Sequence, residues 1–261
     1  MACRIRIATY NIHKCRGLDR RIKPARIVEV LREVNADLIA LQEVLSVQGD
    51  PQWDHVRVIA AELGLDYCFG ENRRLYGGGY GNLMLSRFPM QAVRNYDITA
   101  GRREARGCLR ADVEIGGAIF HFFNIHLGTG FLERRQQAHK LVSSKILLSP
   151  ELHGPRIVLG DLNEWPQGLT SRLLSAHLDR RHLHRPRTYP GLFPIAYLDH
   201  IYCDPPIILE RLRLHRSRAA FIASDHLPLV GDFRLDLATA KPSLVDLLPR
   251  YSISDRTIYS V

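Results

Sequence analysis

The residues of this 261-residue chain that could do chemistry are polar side chains at the ends of apolar runs. Asn11 lies at the end of CRIRIATYNI, Glu43 at the end of ADLIALQEV, and His126 near the end of AIFHFFNIHL. Further groups follow the same pattern: Asp161 and Asn163 after RIVLG, Asp199 within AYLDHIYC, and Asp225 with His226 before LPLVGDF. Ionisable groups are costly to bury without partners. The pattern therefore predicts that these strand ends converge on one pocket.

Each of these residues alone has an ordinary explanation. A glutamate at a strand end is usually solvated, a histidine beside an apolar strand is more often a core residue, and Asp-x-Asn is common in turns. Asp161 and Asn163 are two residues apart, so in an extended segment their side chains point to the same side. That spacing suits two groups that face one phosphate or one metal ion. The ordinary explanations fit single residues and do not fit the whole ordered set.

The elements that must position these residues alternate between strand and helix patterns at the start of the chain. Strands are predicted over 3–12 and 36–44, a helix from Pro24, and a second helix over 55–64 that its glycine ends. Downstream, strands are predicted over 81–86, 108–115, 118–127, 156–161, 196–203, 208–215 and 227–235, with a helix over 133–148. Gly116-Gly117 between two of these strands indicates a hairpin. The order predicts an α/β fold of stacked mixed sheets with helices outside.

Two segments do not follow the regular pattern. RRLYGGGYG, residues 73–81, is either a flexible basic and aromatic loop at the edge of the pocket or a plain glycine-rich hairpin. The stretch over 238–261 loses clear periodicity. We therefore expect one domain over residues 1–237 and a C-terminal extension over 238–261 whose role the sequence leaves open.

Composition limits the class of protein. No apolar run approaches the about 20 residues needed to cross a bilayer, and the N-terminus lacks a secretory signal pattern, so cytoplasmic localisation is expected. The five cysteines are scattered without a CxxC pair, which favours reduced, packed thiols over a disulfide or zinc site. The net charge of +9 favours polyanionic partners, namely nucleic acid, an anionic membrane surface or phosphorylated small molecules. No obligate protein partner is evident.

The ordered motifs resemble those of the endonuclease/exonuclease/phosphatase superfamily. The matching segments are TYNI, LQEV, GNLMLSRFP, NIHLG, GDLNEWP, YLDHIYC and SDHLPLVGDF, spread over about residues 5–235. The resemblance implies a four-layer αββα sandwich, two stacked mixed β-sheets with helices on the outer faces. It also implies a Mg²⁺-dependent phosphoric ester hydrolase, with Mn²⁺ as the alternative metal.

The resemblance assigns a role to each matching residue. Glu43 binds the metal, with Asn11 beside it and Asp225 supporting the same side. Asp161 orients or deprotonates the attacking water, and Asn163 holds a phosphate oxygen. The remaining roles are as follows: Asp199 orients His226, His226 contacts the phosphoryl group, and His126 lies near the leaving group.

These residue types suit hydrolysis of an anionic ester. A hard cation held by carboxylate and amide oxygens neutralises the phosphate charge, and Mg²⁺ prefers few protein ligands. Arg106, in EARGCL, is a candidate phosphate contact because a guanidinium matches phosphate oxygens; the alternative is a surface charge at a strand entry.

Three functions remain open from the sequence. The first is a metal-dependent phosphodiesterase for which nucleic acid is slightly favoured by charge, and the second is a phospholipid or phosphorylated-headgroup hydrolase at an anionic membrane. The third is a non-catalytic binding protein, which the retained Glu43, Asp161 and His226 disfavour. AP endonucleases of the superfamily typically carry a tyrosine where this chain has His126, and QET where it has QEV. The resemblance therefore argues against abasic-site repair.

Overall fold

The computed structural model describes residues 2–50, 52–178 and 186–237. The strands of this part are β1 (Ala2–Asn11), β2 (Leu38–Ser46), β3 (Asp66–Leu75), β4 (Gly78–Ser86), β5 (Met90–Asp97), β6 (Gly107–Ile115), β7 (Ala118–His126), β8 (Arg156–Asp161), β9 (Asp199–Cys203), β10 (Ile207–Leu214) and β11 (Leu229–Asp236). The helices are α1 (Pro24–Val34), α2 (His55–Leu63), α3 (Phe131–Leu141), α4 (Leu169–His177) and α5 (Arg218–Ala223).

The strands form two mixed sheets. The first has the order β10-β11-β1-β2-β4-β3, and the second has the order β5-β6-β7-β8-β9. β1 pairs with β2 in parallel, β7 pairs with β8 in parallel, and the other pairs are antiparallel. The parallel pairs bring the carboxyl ends of β1, β2, β7 and β8 to the edges where the candidate residues lie.

Alternation along the strands builds a layered core. Ile5 and Ile7 of β1 pack between the sheets with Phe120 and Phe122 of β7. The intervening side chains of β1, such as Tyr10, pack outward against α1, α2 and α5. The outward side chains of β7 and β8 pack against the layer that contains α3 and α4. The protein is therefore an αββα sandwich, and the predicted fold class is confirmed.

Local chemistry explains several element boundaries. Gly64 ends α2 in the left-handed region at φ 62°, as its position predicts. Gly116 and Gly117 have φ 61° and 78°, the geometry of the predicted tight hairpin between β6 and β7. The helix expected over 133–148 ends at Leu141, which corrects the prediction. The hydroxyl of Ser143 donates to the carbonyl of Lys140 at 2.7 Å and so competes with helical bonding.

The prediction missed four elements, namely β3, β5, α4 and α5. β3 and β5 are edge strands whose side chains are mostly half-buried or exposed, so they lack a clear apolar alternation. The segment over 73–81 is a hairpin between β3 and β4, with Tyr76 and Gly77 at φ 52° and 81°. Residues 238–261 lie outside the described part of the chain, so the division at residue 237 stays a prediction.

The structure also describes the cysteines and the helices that bear on the expectations from composition. The five cysteines all fall in the described ranges, where they are free thiols and all but Cys3 are buried. Among the described residues, no helix has the length and apolar character needed to cross a bilayer.

Candidate active site

A buried carboxylate lies at the centre of the polar cluster. Asp161 is the last residue of β8, and its Oδ2 accepts a hydrogen bond from Nδ2 of Asn11 at 3.0 Å. Nε2 of His126 lies 3.6 Å from the same oxygen, and Nε2 of His226 lies 3.7 Å from it. Side chains from both sheets therefore converge on one carboxylate oxygen.

The backbone before Asp161 requires a glycine. Gly160 has φ 140°, and a Cβ built on it would lie 1.9 Å from the carbonyl oxygen of Ile125 on β7. This close approach lets β8 pair with β7 so that His126 lies opposite Asp161. The glycine of GDLN thus sets the spacing of two candidate catalytic residues.

Glu43 reaches the cluster because β2 bulges. The pairing of β2 with β4 shifts register between Leu41 and Val44, and Glu43 has φ 58°. A bulge re-aims the side chain that it contains. Nδ2 of Asn11 lies 3.4 Å from Oε1 of Glu43, so this amide bridges Glu43 and Asp161.

Glu43 is held ionised beside a cation. The ammonium group of Lys14 contacts Oε2 of Glu43, and residues His13–Cys15 form a turn with φ values of 44°, 56° and 55°. Burial opposes ionisation, but His126, which is protonated in this acidic range, and the Lys14 ammonium outweigh it and lower the pKa of Glu43 to about 2.

His226 pairs with Asp199, as the resemblance implies. Nδ1 of His226 lies 2.8 Å from Oδ2 of Asp199, and both side chains are buried. Burial lowers the pKa of His226, but the carboxylates of Asp199 and Asp161 outweigh it and raise the pKa to about 10. His226 is therefore an imidazolium at neutral pH. Burial raises the pKa of Asp161 above its ordinary range, partly opposed by the His226 charge.

His126 lies between Arg106 and Asn163. Nη1 of Arg106 lies 2.8 Å from Nδ1 of His126, and Nδ2 of Asn163 lies 3.2 Å from Nε2. Burial, and then the charge of Arg106, lower the pKa of His126 to about 4, so the ring is neutral at neutral pH. Arg106 is buried rather than exposed at a strand entry, and this places its charge next to the cluster.

Asp225 lies at the edge of the cluster. Its Oδ1 is 3.5 Å from Nδ1 of His13, and each of these side chains is about one-third exposed. The hydroxyl of Ser224 donates to the backbone carbonyl of Asn11 at 2.8 Å, which docks this segment on the end of β1. Asp225 is therefore near the Asn11 side, beside the imidazole of His13.

Two groups of side chains could offer ligand atoms to a metal ion. Asp161, Asp199 and His226 place one ligand atom each within 4.8 Å of one another. Binding a metal ion through His226 would require the ring to lose its proton, which the carboxylates of Asp199 and Asp161 oppose. The carboxylates of Glu43 and Asp161, bridged by the amide of Asn11, form the second group and match what Mg²⁺ prefers. A cation, the Lys14 ammonium, already lies against Glu43. The second group fits a divalent ion.

Comparison with known proteins decides the family. The model of the Endonuclease/Exonuclease/phosphatase family matches residues 8–226. The chain belongs to this family. Family membership makes it a hydrolase of phosphoesters.

A relative and two solved structures illustrate the family likeness. The "Uncharacterized protein YbhP" of Escherichia coli is 31% identical over 251 residues, which cover 88% of this chain and 96% of that protein. The endonuclease/exonuclease/phosphatase of Beutenbergia cavernae superposes with TM-score 0.72 at 21% identity over 89% of this chain and 72% of that one. TDP2 of D. rerio complexed with single strand DNA product superposes with TM-score 0.66 at 15% identity over 88% and 98%. At such identities the structures show a shared fold.

Sequence reasoning missed a buried network of side-chain amides beside the candidate site. Nε2 of Gln42 donates to Oδ1 of Asn124 at 2.8 Å, and Nδ2 of Asn124 donates to the carbonyls of Leu41 and Leu83 at 3.0 Å. Nδ2 of Asn82 donates to the carbonyl of Asn124 at 3.3 Å. These bonds tie the two sheets together next to the cluster around Asp161. The signal was present, since LQEV, GNLML and NIHLG each contain one of these amides.

Sequence reasoning also missed Lys14 and Tyr189. Lys14 was part of NIHKC with no role assigned, although it contacts Glu43. The ring of Tyr189 lies 5.0 Å from the His226 ring, centroid to centroid. Nothing in the sequence indicated this contact, because 37 positions separate the two residues.

Proposed function

We propose that this phosphoesterase is a divalent-metal-dependent phosphodiesterase, with nucleic acid as its substrate. The observation that carries the proposal is the environment of Asp161, whose Oδ2 lies within 3.7 Å of an amide and two imidazoles. A buried carboxylate with a raised pKa is a stronger base than an exposed one. Asp161 orients the attacking water and accepts its proton.

Glu43 and Asn11 hold the metal ion, with Asp225 supporting that side. Bound Mg²⁺, or Mn²⁺ as the alternative, supplies positive charge that offsets the charge of the phosphoryl group. The protein's own groups supply the rest of the stabilisation. The His226 imidazolium, oriented by Asp199, donates to a phosphoryl oxygen, and the amide of Asn163 holds a second one.

The other side of the cluster faces the leaving group. His126 is neutral at neutral pH, so one ring nitrogen can donate a hydrogen bond to the leaving oxygen while the other accepts from Arg106. The Arg106 guanidinium adds positive charge beside the leaving oxygen. Asp161 thus acts on the attacking water, and His126 acts on the leaving group.

Charge supports nucleic acid as the substrate class. The chain carries 36 Lys and Arg against 27 Asp and Glu. Nucleic acid presents a row of phosphates, and proteins bind it through such an excess of cations. Binding should therefore weaken steeply as salt concentration rises.

The test is nicking of supercoiled plasmid by metal-stripped protein with Mg²⁺ or Mn²⁺ restored. Wild-type protein should nick only with metal, and Asp161→Asn should not nick. The matched control is Asp232→Asn, which removes a carboxylate that pairs with Arg6 at 2.7 Å on β11. The control should retain wild-type activity. Nicking that survives in Asp161→Asn would point to a contaminant and remove the proposal.

Exposed apolar side chains favour a second candidate, hydrolysis of a phospholipid or phosphorylated headgroup at an anionic membrane. The start of α3 and the loops after Asn163 and Tyr189 carry exposed large side chains, here called the apolar rim: Phe131, Leu132, Trp165, Leu192, Phe193 and Ile195. Clustered exposed apolar residues mark interaction surfaces, and aliphatic ones suit a lipid interface. The rim follows His126 and Asn163 in the chain and borders Tyr189, which contacts His226.

Vesicle binding separates the two candidates. Phe193→Ser should release the protein from anionic vesicles if the apolar rim enters a membrane, while Ile208→Ser, an exposed change on β10, should not. Absence of vesicle binding by the wild-type protein would remove the second candidate. Activity against neither substrate class, with phosphate still bound, would revive the non-catalytic binding protein.

A further inference from the structure

The β3–β4 hairpin places a buried aromatic ring between two cations. The guanidinium carbon of Arg73 lies 4.7 Å from the ring centroid of Tyr80, and Nζ of Lys14 lies 5.8 Å from the same centroid. Both distances suit cation–π attraction. Tyr80 is only 4% exposed, so it is a fixed support for the two cations.

Arg73 is connected to the active site through one shared carboxylate. Its Nη2 lies 2.8 Å from Oε1 of Glu104, and Nη2 of Arg106 lies 3.1 Å from Oε2 of Glu104. Arg106 in turn contacts His126. One negative charge thus serves two guanidinium groups, which leaves one positive charge in excess beside the leaving-group side.

Arg73 also has unused capacity to donate. Its Nε is buried and has no hydrogen-bond partner in the described structure. Its side chain is 35% exposed, so an anion from solvent can reach the guanidinium. A half-buried arginine whose acceptor in the described part of the chain is shared with Arg106 is well suited to bind a further phosphate.

We propose that Arg73, supported by Tyr80 and flanked by Lys14, forms a subsite for a phosphate next to the scissile one. We call these three residues the basic shelf. The inference rests on the proposed phosphodiesterase function and deepens it. The substrate is a strand with consecutive phosphates, since an ester with one phosphate has no group to fill the shelf.

Position supports this reading of the basic shelf. Lys14 contacts Glu43, and Arg73 reaches Arg106 through Glu104. The shelf therefore spans from the metal-binding carboxylate to the leaving-group side. A strand held with its scissile phosphate at Asp161 would bring a neighbouring phosphate over this span.

The experiment compares substrates with one phosphate and with many. Wild type and Arg73→Gln are assayed with Mn²⁺ on bis-p-nitrophenyl phosphate and on a fluorescent single-stranded oligonucleotide. Loss of one phosphate contact should lower kcat/KM on the oligonucleotide about tenfold more than on the small ester, and reduce the slope of affinity against salt by about 1. Equal losses on both substrates would overturn the subsite.

Arg94→Gln is the matched control. Arg94 also lies over a tyrosine, 5.8 Å from the Tyr96 centroid, and pairs with a glutamate, 3.5 Å from Glu151. It belongs to β5, outside the cluster around Asp161. Its replacement should change neither substrate preference nor salt slope. Thermal unfolding of both variants establishes that they are folded.

Glu104→Gln tests the subsite in the opposite direction. Removing the shared carboxylate frees Arg73, so oligonucleotide affinity, measured by fluorescence anisotropy with EDTA, should rise several-fold, whereas Arg73→Gln should lower it. Weaker binding by Glu104→Gln would overturn the proposal. If the wild type hydrolyses neither substrate, the proposed function fails. The binding measurements then decide by themselves whether the shelf binds a strand: affinity must rise in Glu104→Gln and fall in Arg73→Gln.

Discussion

The Nδ1 atom of His226 lies 2.8 Å from Oδ2 of Asp199, and both side chains are buried. Although burial opposes it, the charge of Asp199 helps raise the pKa of His226 to about 10. This charge then faces Asp161, since Nε2 of His226 lies 3.7 Å from Oδ2 of Asp161. A fixed positive charge so close to the proposed base suits stabilisation of phosphoryl oxygens.

Asp199→Asn should lower kcat by roughly 10² to 10⁴-fold, the usual contribution of a positioned acid or base. Because the folded pKa of His226 is raised, the protonated form persists up to about pH 10 in the wild type and is lost above it. In the variant this alkaline loss should move to lower pH. The measurement is a pH profile of kcat on bis-p-nitrophenyl phosphate.

Asp204→Asn is the control for the Asp199 prediction. Asp204 pairs with Arg156 at 2.7 Å, just beyond the other end of β9. Its loss should leave the pH profile unchanged. An unchanged profile in Asp199→Asn as well would show that Asp199 does not set the charge of His226.

The strand-end residues were predictable because the sequence itself places them. Asn11, His126 and Asp161 end apolar strand patterns, and parallel pairing brings such ends to one edge. Apolar strand patterns also predicted stacked mixed sheets, since central strands are buried on both faces and read as apolar runs. The predicted roles of these residues await the experiments proposed for them.

Other features could not be predicted, because they depend on contacts distant in the chain. The bulge that aims Glu43 into the site is a break in pairing with β4. Arg106, the residue before β6, contacts His126 at the end of β7, and local sequence patterns do not reveal side-chain contacts between strands. The edge strands β3 and β5 escaped detection because partly solvated strands need no apolar alternation.

Lys14→Met should strengthen metal binding. The Lys14 ammonium contacts Glu43, so a metal ion at this carboxylate must displace it. Removing the competing cation should raise Mn²⁺ affinity by up to about fivefold, the range of a partly exposed ion pair. Isothermal titration of metal-free protein measures the change without any substrate.

Two further variants serve as controls for the Lys14 prediction. Glu43→Gln should weaken Mn²⁺ binding strongly, because it removes a charged ligand. Lys140→Met removes an ammonium that donates to the Thr99 carbonyl, and should leave affinity unchanged. Weaker metal binding in Lys14→Met would contradict competition at Glu43.

His55 should make stability depend on pH. It is buried at the start of α2, its Nδ1 accepts from the Leu45 amide at 3.3 Å, and burial lowers its pKa to about 4. The unfolded chain, with a pKa of about 6.5, binds a proton that the folded protein does not, so stability falls as pH drops below about 6.5. Between about pH 7.5 and about pH 5, this residue should lower the free energy of unfolding by about 2 kcal/mol.

Urea unfolding at both pH values measures the His55 contribution. His55→Gln cannot titrate, so its free energy of unfolding should change less with pH than that of the wild type. His153→Gln, at an exposed position, should follow the wild type. The same pH dependence in His55→Gln and wild type would assign the effect to other groups.

Gly160→Ala should damage both the fold and the site. The added Cβ would lie 1.9 Å from the Ile125 carbonyl oxygen at φ 140°, so β7 and β8 must separate. Backbone cannot yield as a flexible side chain can, and the free energy of unfolding should fall by more than about 3 kcal/mol. His126 and Asp161 are paired across these strands, so the displacement also moves them apart. Activity should therefore fall in the fraction that remains folded.

Gly117→Ala separates backbone strain from this close approach. Gly117 also has positive φ, 78°, but no atom lies within 4 Å of a Cβ there. It should lose only about 1 kcal/mol, the cost of an unfavourable φ, and keep its activity. Urea unfolding and phosphoester hydrolysis of the two variants measure both quantities. Equal losses in the two variants would mean that the contact between Gly160 and Ile125 does not control the spacing of His126 and Asp161.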